Sequence, residues 1–129
     1  MLADRRCHAT IPVSDVEAVR SFYEGTLGFE PLEENPAAVI YRAGSGSVFA
    51  VTRSSGRASG SHTQMGFTVD DIEDEVADLR RRGVTFEEYD VPGLKTEGGI
   101  ARTGPNRAAW FKDPEGNLIG LIEFGRAES

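Results

Sequence analysis

Val13-Ser14-Asp15-Val16-Glu17 and Val69-Asp70-Asp71-Ile72-Glu73 follow one pattern, set 56 residues apart. Each pentapeptide stands where a β-rich run gives way to a helical one. A weaker echo follows, in which Ala38-Val39-Ile40-Tyr41 recurs in type as Ala109-Trp110-Phe111. A repeat of this spacing constrains the fold more than any single motif, because each copy must be a similar supersecondary unit. Within 129 residues neither half is large enough for an ample core of its own, so two modules have to form one domain, residues 1–129.

The elements read similarly in both copies. His8–Val13 is strand-like, Ser14 is a candidate N-cap, and Glu17 completes a capping box. Val16, Val19, Phe22, Tyr23 and Leu27 make a helical apolar stripe that ends at Gly28. Strands are expected at Ala38–Ala43 and Ser47–Arg53, around the turn Gly44-Ser45-Gly46. The polar stretch 54–61 reads as a linker. The second copy opens with Gln64–Val69, followed by Asp70 as N-cap with Glu73 in the box position. Ile72, Val76 and Leu79 then make a stripe closed by Gly83. Val84–Tyr89, Arg107–Lys112 and Asn117–Phe124 are the remaining strand candidates. Asp90–Asn106, rich in Gly and Pro, reads as a long loop serving as a lid or flap, which Gly98-Gly99 would let flex. The modules thus span 7–56 and 62–125.

Composition excludes several functions. With 21 acidic against 14 basic residues the net charge is −7, and no basic stripe offers a nucleic-acid surface. A single cysteine excludes an internal disulfide and a multi-cysteine zinc site. Strand alternation from His8 places Cys7 beneath the helices as an inert thiol. No apolar run approaches a membrane span, and the N-terminus lacks the apolar segment of a secretory signal, so a cytoplasmic protein is expected. Phosphate-loop, dinucleotide and serine-elbow motifs are absent. Arg80-Arg81-Arg82 suits a helix C-terminus. Glu87-Glu88-Tyr89-Asp90 is a solvated strand end or an attraction for a cationic ligand.

Several of these pieces together resemble the vicinal oxygen chelate superfamily of glyoxalase I, extradiol dioxygenases, and fosfomycin and bleomycin resistance proteins. They are His8-x4-Val13-x-Asp15, Ser21-Phe22-Tyr23-x3-Leu27-Gly28-Phe29, Phe67-x-Val69-x-Asp71-Ile72, and the most specific, Ala109 through Asn117. The resemblance covers about residues 8–124. It implies an α+β fold of two tandem βαβββ modules whose curved mixed sheets surround a cleft.

The resemblance also implies a divalent metal held by two side chains from each module. Its ligand positions fall on His8, Ala50, Gln64 and Gly120. One imidazole, one amide and two empty positions fall short of the three or four donors such a metal needs. Only His8, His62 and Glu123 offer a fallback triad. The expected reading is therefore no cofactor, with a divalent metal as the exception. The cleft would be lined by His8, Thr10, Ile40, Ala50, Gln64, Trp110 and Gly120, with Trp110 as a flat surface for a planar guest.

Function follows in three forms. The first is a metal-independent small-molecule binder of the bleomycin-resistance kind, holding an aromatic or cationic compound. The second is a lyase, isomerase or dioxygenase with a relocated metal, or a metal-free one using His8 as acid or base. The third is a structural or regulatory subunit. A homodimer is expected, with no nucleic-acid or membrane partner.

Overall fold

In the computed structural model, which describes residues 1–125, the chain divides into two compact units at the Arg57/Ala58 boundary. The first contains β1 (Ala9–Val13), α1 (Val16–Arg20), β2 (Glu30–Asn35), β3 (Ala38–Arg42) and β4 (Val48–Arg53). They make a four-stranded sheet in the order β1-β4-β3-β2. Strand β1 runs parallel to β4, and the other pairs are antiparallel. The second unit repeats the plan with β5 (Thr63–Thr68), α2 (Ile72–Arg81), β8 (Ile100–Thr103), β9 (Asn106–Lys112) and β10 (Leu118–Glu123). Two more strands, β6 (Asp90–Val91) and β7 (Leu94–Glu97), extend the edge. The order is β5-β10-β9-β8-β7-β6, with β5 parallel to β10. This α+β architecture of two mixed sheets is the one the repeat implied.

Period-two burial decides which face of each sheet meets its helix. In the first unit Ile11, Val13, Val39, Tyr41, Phe49 and Val51 are buried, and Val16, Val19 and Tyr23 close over them. In the second, Met65, Ala109, Phe111, Ile119 and Leu121 are buried on the side of Ile72, Val76 and Leu79. The caps sit one residue later than the capping-box reading placed them. Asp15 accepts from the Ala18 N–H at 3.2 Å and Asp71 from the Asp74 N–H at 3.2 Å. Gly28 and Gly83 do end their helices, with φ of 82° and 96°. Between Arg20 and Gly28 the helix widens into a π-turn, Ser21–Thr26, where the Leu27 N–H reaches the Phe22 carbonyl at 2.9 Å.

Three other expectations are corrected. Asp90–Asn106 is no free loop, because β6, β7 and β8 make a meander in which Thr96 and Ala101 are buried. Val84–Tyr89 is not a strand; only Phe86 bridges to Phe111, and the Glu87 N–H bonds the Trp110 carbonyl at 2.8 Å. The acidic run is partly engaged rather than solvated, with Glu87 3.3 Å from Lys112 and Glu88 accepting from Thr96 at 3.0 Å. Cys7 lies ahead of the first strand and is exposed, so strand alternation does not reach it.

The π-turn brings Glu24 against Arg20 and against the buried Tyr41 hydroxyl, which donates to it at 2.9 Å. The Arg20 guanidinium holds the Glu24 carboxyl below the usual carboxylate range despite partial burial, and Tyr41 adds to this. Burial, then the neighbouring Glu24, pushes the Tyr41 phenol up. A carboxyl whose folded pKa is depressed stabilises fully above its unfolded value of about 4.3 and loses that contribution as pH falls through the folded value. Melting temperature is accordingly expected to fall below about pH 4.3, and Glu24→Gln should flatten that fall. An unchanged slope in thermal scans of the variant between pH 2.5 and 6 would count against this linkage.

Candidate functional site

Each sheet has a second face, away from its helix, and register puts Thr10, Ile40, Ala50, Trp110 and Gly120 of the expected residues there. In the first unit Thr10 stands opposite Ala50, and Ala50 opposite Ile40, so the three form one row across β1, β4 and β3. Thr10 is exposed, Ile40 half-buried and Ala50 buried. His8 precedes β1 and is exposed.

The equivalent row in the second unit is Gly66, Gly120 and Trp110 across β5, β10 and β9. Here the geometry is more specific. The Trp110 indole N–H donates to the Thr63 hydroxyl at 3.2 Å, and Tyr89 meets the ring edge-on at 5.7 Å between centroids. Alternation puts Phe111 on the opposite, helix-covered face, so the indole belongs to the open one. Register slips by one residue at Leu118/Ile119, where Thr63 and Met65 pair with consecutive residues. Gln64 is the residue left over, half-buried beside the Trp110 row. Thr63 and Tyr89 were missed in the sequence. The signal available was the Thr-Gln step at the slip; nothing local pointed to Tyr89.

Whether these residues fit a metal is decided largely at Gly120. A Cβ added there would stand 3.2 Å from the Thr63 methyl and 3.3 Å from the Trp110 indole nitrogen. A side chain at the position that the resemblance assigns to a carboxylate would need Thr63 or Trp110 to give by a few tenths of an ångström. The fallback donors are also committed elsewhere. His62 is exposed, outside β5, and its Nδ1 is 2.7 Å from the Ser59 hydroxyl. Glu123 points to the other face, where it accepts from the Ile72 N–H at 3.1 Å and pairs with Arg107 at 2.9 Å. That backbone donor at the start of α2, then Arg107, holds the Glu123 carboxyl low. Among the described residues no group of three or more His, Cys, Asp or Glu side chains is placed to hold a metal ion. The residues present do not fit a chelating site of the implied kind.

The arrangement can accept a flat ring. Trp110 is fixed in orientation by a hydrogen bond and an aromatic edge, with the buried Gly120 opposite it in register. No helix among the described residues is long and apolar enough to cross a membrane.

Known proteins resemble the chain along most of its length. The virulence protein STM3117 of Salmonella typhimurium is 27% identical over 134 residues, covering 96% of this chain and 87% of that protein. A glyoxalase family protein from Enterococcus faecalis superposes with a TM-score of 0.70 at 24% identity, covering 95% of this chain and all of that one. TnmS3, described as an antibiotic binding protein from Streptomyces sp. CB03234, gives a TM-score of 0.68 at 25% identity, covering 97% and 99%. Residues 5–121 match the Glyoxalase/Bleomycin resistance protein/Dioxygenase superfamily, and with the two βαβββ-type units in place, the chain belongs to that superfamily.

Proposed function

We propose that the chain is a metal-independent small-molecule binding protein that stacks a planar aromatic guest on Trp110. The observation that carries this reading is the indole itself, braced by Thr63 and Tyr89 beside Gly120, where an added side chain would crowd both the indole and Thr63. Aromatic surface with a few polar groups is what a binding site needs, and chemistry is not required of it. The net charge of −7 favours a cationic guest over an anionic one at this face. The likeness to an antibiotic binding protein supports the same direction. Cytoplasmic residence and a homodimer belong to the reading, and fractionation and sedimentation mass read them.

The test uses the one tryptophan in the chain. Planar aromatic compounds, neutral and cationic, are titrated while Trp110 fluorescence is followed. Saturable quenching is expected, and Trp110→Phe should retain most of the affinity in a calorimetric titration. Trp110→Ala should weaken binding at least about tenfold, or about 1.4 kcal/mol. Metal analysis of untagged protein is expected to give far less than one ion per chain, with melting unaffected by chelator. Stoichiometric metal with a chelation-sensitive melt would instead support the lyase, isomerase or dioxygenase reading.

A further inference from the structure

The second unit has a pocket of about 580 Å³ that shares no residue with the Trp110 row. Register places it. Arg102 stands opposite Arg107, and Ile100 opposite both Ala109 and Glu97, so these side chains share the face that α2 covers. The pocket opens beside the N-terminal turn of α2, where Glu73 forms its wall, and the β6–β7 hairpin makes the far side. Its volume falls within the range of small-molecule sites.

The charges in it are unevenly paired. Two arginines directly opposite in a strand pair repel each other unless something neutralises them. Arg107 is neutralised: its guanidinium bonds Glu123 at 2.9 and 3.0 Å and Glu73 at 2.9 Å. Arg102 and Lys95 line the same pocket, and their side chains make no ion pair or hydrogen bond among the described residues. Glu97 is the single carboxylate of the lining with no ion pair. Arg107 thus takes up two carboxylates, Glu73 and Glu123, while the two cations Arg102 and Lys95 are left without an ion partner. Beside it lie Val91, Leu94 and Ile100, and Val91 is 54% exposed, an apolar surface that the fold leaves to solvent.

We propose that this pocket binds a small monoanionic amphiphile, a carboxylate with a short apolar body. The carboxylate takes the planar fork of Arg102, with Lys95 as a second cation, because a guanidinium matches a carboxylate in two parallel hydrogen bonds. The apolar body lies over Val91, Leu94 and Ile100, removing their surface from water. Its carboxylate then gives Arg102 and Lys95 the ion partner that the fold leaves them without, which a neutral molecule of equal length cannot do.

The experiment titrates the full chain with sodium octanoate while backbone and methyl resonances are recorded, with 1-octanol as the neutral control of the same length. Saturable shifts are expected at Val91, Leu94, Ile100 and Arg102. Octanol should bind at least tenfold more weakly. Arg102→Glu should weaken octanoate at least tenfold, with Arg102→Lys intermediate, and Lys95→Glu gives the same reading should Arg102→Glu melt early. Trp110→Ala should leave octanoate affinity unchanged, which separates this pocket from the aromatic face and its own test. Absent or unsaturable shifts, equal binding of octanol, indifference to both charge reversals, or shifts centred on Trp110 would each overturn the proposal. Binding to vesicles of anionic phospholipid without binding to free octanoate would overturn it too, since the ligand is a free small molecule.

Discussion

Asp113→Ala is expected to remove about 3–5 kcal/mol of unfolding free energy, the largest single loss considered for the second unit. Asp113 is 5% exposed and organises the turn between β9 and β10. One carboxylate oxygen accepts from the backbone N–H groups of Glu115 and Asn117, each at 2.9 Å, and the other accepts from the Asn117 side-chain amide at 2.8 Å. Asn117 is fully buried. Truncation therefore strands donors that water cannot reach, and a stranded buried donor costs about 1–3 kcal/mol. Asp113→Asn should lose about half as much, because it keeps one acceptor while turning a donor toward the Asn117 amide. Urea melts of the three proteins measure this. A loss under about 1 kcal/mol for the alanine variant would mean that the turn is held by its Pro and Gly alone.

Gly99→Val should cost about 3 kcal/mol, for two reasons that a neighbouring position separates. Gly99 has φ of +81°, and a Cβ there would come within 3.0 Å of the Phe86 Cβ and of an Arg80 guanidinium nitrogen. Arg80 donates to the Gly98 carbonyl at 3.0 Å and lies over the Phe86 ring at 5.5 Å, so the turn is clasped from beneath. Gly98 has φ of +59° with nothing within 4 Å, so Gly98→Ala should show only the conformational part, about 1 kcal/mol. Equal losses at the two positions would show that the clasp contributes nothing.

This clasp illustrates how the sequence misleads locally while informing globally. One glycine pair, single glycines and two prolines between residues 90 and 106 mark turns, but strands of two to four residues are too short to show a period, so the stretch reads as a loop. Strand β2 escaped for a different reason: Glu30–Asn35 is exposed throughout and has no buried alternation to betray it. Ser14 and Asp70 begin the box pattern, yet an aspartate one step later accepts the capping bond. The repeat itself was legible because period-two and 3.6-residue burial recur in both units. Of the site, Trp110 and Gly120 were legible through the turn that follows β9. Thr63 and Tyr89 were not, since their contacts with Trp110 join residues 47 and 21 positions apart.

Gly120 has a bearing on the history open to this chain. Restoring an acidic side chain at that one position would drive its first carbon against the indole and the Thr63 methyl. Clearing Trp110 first would discard the stacking surface before any new donor existed. Even both changes together would add a single carboxylate, because Ala50 offers no donor and Gln64 only an amide. A chelating set would have to be assembled at several positions at once, and it could not be gained at Gly120 alone.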